Sequence, residues 1–337
     1  MKILFEVSVP FWLAHGGSQV VTESLMRELP GLGVEVEPAR WWDSSQRGDL
    51  IHYVERPLAL NVRLAHEKGY KVVVTEWLDQ TASRAAWKLQ GQKLLITAAR
   101  RLLGNMTARL GWSVYREADA FVFALENERR VASHLFGLPP ERGHVIGHGL
   151  EVEALRALAE PAPQEDYLLC VATIAPRKNS LLLARAARLA NVPVLFLGKP
   201  YAEDSPYYKE FLGLVDGRNV RHGGFVPEAE KHARMRSARG YVHLSQFESG
   251  CIAVYEAAAA GLPLLLSDLP WARHGYPANT GTRHIAPTSV EEVARGLKEF
   301  HAQARRSPKP TFPVESWRGI ASRYLTIYQG LLAGKAR

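Results

Sequence analysis

Short apolar runs alternate with longer segments of helical spacing along almost the whole chain. In the first half the runs at residues 2–9, 50–53, 71–75, 120–123 and 144–146 read as strands. In the second half those at 167–171, 194–197, 220–222, 240–244 and 263–267 do the same. Strands that alternate with helices predict α/β domains built on parallel sheets. A length of 337 residues exceeds what one hydrophobic core usually serves, so two such domains are expected. A Pro-rich polar stretch, Glu160-Pro161-Ala162-Pro163-Gln164-Glu165-Asp166, reads as the linker between them. The expected division is therefore 1–160, 161–315 and a C-terminal helix within 316–337, placed to cross back to the first domain. Trp317, Tyr324, Leu325, Tyr328 and Leu331 enrich that helix.

One segment breaks the pattern. From Ile252 to Ala260 there is no polar face, yet Glu256 lies inside it, eight positions after Glu248. A helix that is apolar all round belongs in a core, where an ionised carboxylate needs a partner. Ser249 and Gly250 suit the start of this helix, and Gly261 with Pro263 its end. At ~1.5 Å rise per residue, eight positions span roughly 12 Å, the reach of a sugar diphosphate with its ribose. Backbone N–H groups near Gly250, Cys251 and Ile252 are expected to be free for an anion. The competing expectation is that Glu256 pairs with a buried Arg and Glu248 is a solvated cap.

In sheets of this kind ligands bind beyond the carboxyl ends of the strands. The first strand leads into His15-Gly16-Gly17 and a helix, where glycines admit close approach by a phosphate or sugar, or simply make a tight turn. The dinucleotide pattern G-x-G-x-x-G is absent, which disfavours a dehydrogenase. The first strand of the second half leads into Ala172-Thr173-Ile174-Ala175-Pro176-Arg177-Lys178-Asn179. Adjacent cations between a strand and a helix can clamp a diphosphate, Lys178 as a point charge and Arg177 as a fork.

Composition adds bounds. Hydrophobic residues make up 47% and charged residues 23%, as in an ordinary globular protein. With only Cys170 and Cys251 there is no disulfide framework, and a reducing cytoplasm is expected. The first apolar run is broken by Glu6 and does not read as a signal peptide, and no apolar stretch is long enough to span a bilayer. The net charge of +8 is concentrated from Arg84 to Arg116, where seven cations and no acid are interleaved with Trp87 and several leucines. That stretch suits the anionic inner face of a membrane or a solvated basic face. Nucleic acid is disfavoured, because no recognised binding motif accompanies the charge.

Together these residues resemble the GT-B glycosyltransferases of the family 4 group (glycosyl transferases group 1), closest in motif style to mannosyltransferase-like members. The resemblance covers nearly the whole chain. It rests on Gly16-Gly17, on Ala172 through Asn179, and on E-x7-E continuing into Glu256-Ala257, Ala259, Gly261 and Pro263. It implies two Rossmann-like domains facing across a cleft. It also implies a retaining, metal-independent transfer of a hexose from a UDP- or GDP-linked nucleotide sugar to a glycan or lipid-linked acceptor, in surface polysaccharide or glycolipid synthesis, with no cofactor. Glu256 is then expected on the ribose hydroxyls, Glu248 on the transferred sugar, Lys178 and Arg177 on the diphosphate, and Val226 beside the base. Gly16, Gly17, Thr173, Ser249, Gly250, Cys251 and Ile252 complete the donor side, with His15 and Glu76 as acceptor-side candidates. There is no D-x-D metal motif and no His/Cys cluster of ligand spacing.

Three departures stand out. Thr173 replaces the family's more usual Arg, Thr75-Glu76-Trp77 replaces T-x-H, and Glu248-Ser249-Gly250-Cys251 replaces E-G-F-G. Two alternatives stay open: a GT-B epimerase or phosphorylase, and, on Thr173 and the missing first-domain histidine, a noncatalytic protein that binds nucleotide sugars.

Overall fold

The computed structural model describes residues 1–8, 11, 16–103, 109–278 and 281–334. Two units emerge, Met1–Gly149 with Glu315–Arg337 and Leu150–Val314. In the first, strands β1 (Lys2–Val7), β2 (Glu35–Pro38), β3 (Leu50–Val54), β4 (Lys71–Thr75), β5 (Ala120–Phe123) and β6 (Gly143–Val145) form one sheet in the order β2-β1-β3-β4-β5-β6. All pairings are parallel. The inner strands read LIHYV, KVVVT and AFVF and are almost wholly buried, as strands covered on both faces must be. Edge strand β2 reads EVEP and escapes an apolar-run search. An edge needs little apolar surface and is blunted by charge and proline. The expected first strand reached Val9, which lies outside the described residues.

Helices α1 (Gly17–Glu28), α2 (Ala59–Glu67), α3 (Ala86–Leu103) and α4 (Glu126–Phe136) connect these strands. The C-terminal helix Trp317–Ala333 is part of the first unit and buries Trp317, Ile320, Ala321, Tyr324 and Tyr328. Its Tyr328 hydroxyl lies 2.7 Å from His52 Nδ1, and the other ring nitrogen lies 2.8 Å from the Thr75 hydroxyl. Burial pushes His52 down to about 3, so the ring stays neutral and ties helix to sheet through hydrogen bonds alone.

The second unit carries β7 (Leu168–Val171), β8 (Val194–Leu197), β9 (Val220–Gly224), β10 (Gly240–His243), β11 (Leu264–Ser267) and β12 (Thr282–Ile285). Their order is β9-β8-β7-β10-β11-β12, again parallel throughout. Around them run α5 (Val152–Ala159), α6 (Ser180–Ala190), α7 (Glu228–Ser237), α8 (Ile252–Ala259) and α9 (Val290–Gln303). Edge strand β12 reads TRHI and, like β2, was not anticipated from the sequence.

The expected boundary at 160/161 is corrected to Gly149/Leu150. Helix α5 buries Leu158 and packs on α7 and α8, so it belongs to the second unit. The Pro-rich stretch after it is a surface connector inside that unit, fastened where Glu165 N–H donates to the Ser237 carbonyl at 2.7 Å.

Candidate functional site

Strand order locates the site. In the second sheet the winding reverses between β7 and β10, and in sheets of this kind ligands bind at the carboxyl ends of the strands beside such a reversal. The loop after β7 carries Arg177 and Lys178, and the loop after β10 carries Glu248. Four hydrogen bonds lace them together. Gln246 N–H donates to the Arg177 carbonyl at 2.8 Å, Ser245 Oγ to the same carbonyl at 3.2 Å, Asn179 Nδ2 to the Leu244 carbonyl at 2.8 Å, and Arg177 Nη1 to the Phe247 carbonyl at 3.2 Å. Asn179 takes the left-handed conformation at φ 53°, which a short polar side chain tolerates, and α6 follows it at once. Below, Ser267 Oγ and Trp271 Nε1 both donate to the Ser245 carbonyl, at 2.7 and 3.0 Å.

Glu248 is the centre of this cradle. It is buried, and its carboxylate accepts from Lys178 Nζ, from Arg177 Nη1 at 3.1 Å and from His243 Nε2 at 2.8 Å. Burial alone would raise its pKa, but Lys178, His243 and Arg177 hold it well below the usual carboxylate range. His243, at the end of β10, would be lowered by burial. Cys251 and Glu248 instead raise it to about 9, so the ring is an imidazolium at neutral pH. The Cys251 thiol, 3.7 Å from His243 Nε2, would be raised by burial and is pulled down by that imidazolium. The expectation of a solvated cap is therefore overturned: three positive side chains converge on one buried carboxylate.

The helical ruler between the two glutamates is corrected as well. Helix α8 begins at Ile252 with Cys251 as its cap, and Gly250 is left-handed at φ 75°. Residues 248–251 are thus loop, and the helical rise does not apply to them. The Cys251 N–H is not free for an anion either, since it donates to the Tyr276 hydroxyl at 2.9 Å. Glu256 is buried in α8, and its Oε1 accepts from Lys231 Nζ of α7 at 2.7 Å, a lysine where an arginine was expected. Burial would lower Lys231, but Glu256 and Glu228 raise it. The buried His232 Nε2 lies 3.7 Å from the same Oε1.

Around this core Thr173, Ser249, Gly250 and Ile252 are half-buried. Val226 is half-buried beside the exposed Phe225, whose ring lies under Lys199 Nζ at 5.6 Å. Two groups of potential metal ligands occur among the described residues, His243-Glu248-Cys251 and Glu228-His232-Glu256. In each a lysine already bonds the buried carboxylate, Lys178 in one and Lys231 in the other, so ion pairing accounts for both.

The first unit holds the remaining candidates. Gly16 and Gly17 stand exposed at the start of α1, neither in the left-handed region, and a Cβ on either would meet nothing within 4 Å. The glycines are thus not required by a turn, and the space above them is open. His15 lies outside the described residues. Glu76 follows β4 and is buried with Arg56 Nε 3.8 Å away, and burial raises it to about 7. Sequence reading missed His243, Lys231, His232 and Tyr276. His243 hides in a strand pattern, and the others acquire meaning only through neighbours distant in sequence.

Residues 152–309 match the family described as Glycosyl transferases group 1, a stretch that lies within the second unit. No curated protein matches the chain by sequence. Solved structures match its fold. The Anabaena protein HepE in complex with UDP aligns with TM-score 0.67 at 15% identity, covering 100% of both chains. The same protein with UDP-glucose aligns with TM-score 0.63 at 15% identity, over 100% of this chain and 99% of that one. Sucrose-phosphate synthase from Thermosynechococcus elongatus aligns with TM-score 0.72 at 15% identity, over 99% and 100%. At such identities the likeness establishes the fold, which is that of the GT-B glycosyltransferases.

Proposed function

We propose that this chain is a retaining glycosyltransferase that moves a hexose from a UDP- or GDP-linked sugar to a glycan or lipid-linked acceptor, in surface polysaccharide or glycolipid synthesis. The observation that carries the reading is the buried Glu248 with Lys178, Arg177 and His243 around it, at the reversal point of the second sheet. The match of residues 152–309 to group 1 glycosyl transferases and the likeness to structures crystallised with UDP and UDP-glucose support it.

In this reading the diphosphate takes over Lys178 and Arg177 from Glu248, and the carboxylate then turns to hydroxyls of the transferred sugar. Glu256, held by Lys231 through one oxygen, offers the other to the ribose. Departure of the nucleoside diphosphate builds negative charge beside Lys178 and Arg177 and positive charge on the sugar. Groups preset for that charge lower the barrier more than they favour the bound donor. The two cations meet the diphosphate charge without a metal. Gly16 and Gly17 admit close backbone approach, and Glu76 is the acceptor-side candidate.

The test is a thermal-stability screen with UDP-, GDP- and dTDP-sugars, since a ligand at 100 times its Kd adds about 2.7 kcal/mol. Glu256→Ala is expected to abolish stabilisation by free nucleotide. Glu248→Ala is expected to weaken discrimination between sugars more than binding of the nucleotide. Equal loss of nucleotide binding in both refutes these roles. Nucleotide binding with no donor turnover would make the chain a binding protein, and isomerised donor formed without acceptor would make it an epimerase.

A further inference from the structure

Helix α3, Ala86–Leu103, is 18 residues long yet buries only Ile96. Its inward side is defined by Ile96 and by Arg100, whose Nη2 donates to the carbonyls of Trp112 at 3.0 Å and Phe136 at 3.2 Å. At about 100° per residue, Trp87, Leu94, Leu95 and Leu102 fall in one sector of roughly 100° on the opposite side, away from the core. All four are strongly exposed, at 73%, 64%, 72% and 83%. Lys88 borders the sector on one side and Arg101 on the other, both exposed. No acidic residue occurs between Asp79 and Glu117.

An amphipathic helix normally turns its apolar stripe to the core and its charges to water. This one shows water a second apolar stripe, edged with cations. We propose that α3 is a membrane-docking element that lies in the plane of an anionic lipid surface, with Trp87, Leu94, Leu95 and Leu102 among the acyl chains and Lys88 and Arg101 on the headgroups. Charge complementarity selects this occupant. A second copy would bring the same cations against these, whereas anionic headgroups neutralise them while the acyl region takes the apolar stripe. No helix among the described residues is long and apolar enough to cross a membrane, so the contact is peripheral. The inference goes beyond the donor reading. Vesicle binding measured without nucleotide stands or falls separately from donor chemistry.

The experiment is co-sedimentation of the full chain with vesicles of phosphatidylcholine alone or with about 30% phosphatidylglycerol, in about 0.1 M salt where surface charges still attract. The chain is expected to bind the anionic vesicles and not the neutral ones. The double variant Leu94→Glu/Leu102→Glu is expected to lose binding at least ~10-fold with its thermal midpoint unchanged, and Lys88→Glu/Arg101→Glu to lose it by a similar factor. Brominated lipid should quench the wild-type tryptophan fluorescence more than that of Trp87→Phe, which reads the insertion even if a double variant misfolds. Three results would overturn the proposal: no binding to anionic vesicles, undiminished binding by a folded Leu94→Glu/Leu102→Glu, or wild-type self-association that this variant abolishes. The last would assign the stripe to a second copy.

Discussion

Glu248→Gln keeps the shape of the central side chain and removes its charge. Lys178, Arg177 and the His243 imidazolium then lose the one carboxylate that all three contact, with side-chain exposures of 11%, 29% and 2%. Removing one member of a buried ion pair costs about 3–5 kcal/mol. Arg177 keeps partial contact with water and His243 can release its proton, so the lower end, about 3 kcal/mol, is expected. For a chain part of this size 1 kcal/mol moves the midpoint by roughly 2–4 °C, which gives a fall of about 6–12 °C without nucleotide. A diphosphate supplies the missing negative charge. At a fixed UDP concentration 100 times the wild-type Kd, wild type gains about 2.7 kcal/mol, and the variant, whose cations need not be taken from a carboxylate, should gain more and so narrow the gap. The assay is calorimetric or fluorescence-detected unfolding of both proteins with and without UDP. A midpoint unchanged without nucleotide, or smaller stabilisation by UDP in the variant than in wild type, refutes the reasoning that Lys178 and Arg177 exchange the carboxylate for the diphosphate.

Three further outcomes are expected. Burial raises Glu76 to about 7, so its contribution to stability is fully present below its ordinary value near 4.5 and is lost as pH rises through 7. Glu76→Gln should accordingly gain on the order of 1–3 kcal/mol over wild type at pH 8 and nothing near pH 4.5, in denaturant titrations at the two pH values. An equal difference at both pH values would remove the carboxyl from the account. Gly198 has φ 141°, and a Cβ there would collide with the Ala172 carbonyl between β7 and the Arg177 loop. Gly198→Ala is thus expected to cost about 3 kcal/mol by unfolding. Gly17→Ala meets open space at the first helical position and should leave stability intact. If ligand backbone approach is what Gly17 serves, the same change raises the donor KM, which initial-rate kinetics would read.

The core of both sheets was legible because β4 and β5 in the first and β8 and β11 in the second must be apolar on both faces, and an unbroken apolar run of strand length has few other uses. The edge strands were not, since EVEP and TRHI satisfy their hydrogen bonds on one side only and carry no such run. The domain boundary failed for a related reason. Proline marks where chain is irregular, whereas membership of a unit is set by packing, and Leu158 of α5 is buried in the second one.

At the site, sequence reading picked out Glu248, Glu256, Arg177 and Lys178 through local anomalies, but could not say what they face. Strand order decides that. Only because β7 and β10 are neighbours does a loop near residue 178 meet one near residue 248, some seventy positions away. The same adjacency changes the meaning of the cations. Taken alone, Arg-Lys after a strand waits for an anion. Beside a buried carboxylate it already has one, and Glu248 offsets part of the positive charge that Lys178, Arg177 and His243 bring to the cluster. In this reading the site does not hold an empty positive socket at the expense of stability. It holds a partly compensated cluster, still net positive, in which an incoming diphosphate would displace an internal carboxylate, and the freed Glu248 would be left beside the atoms that change charge.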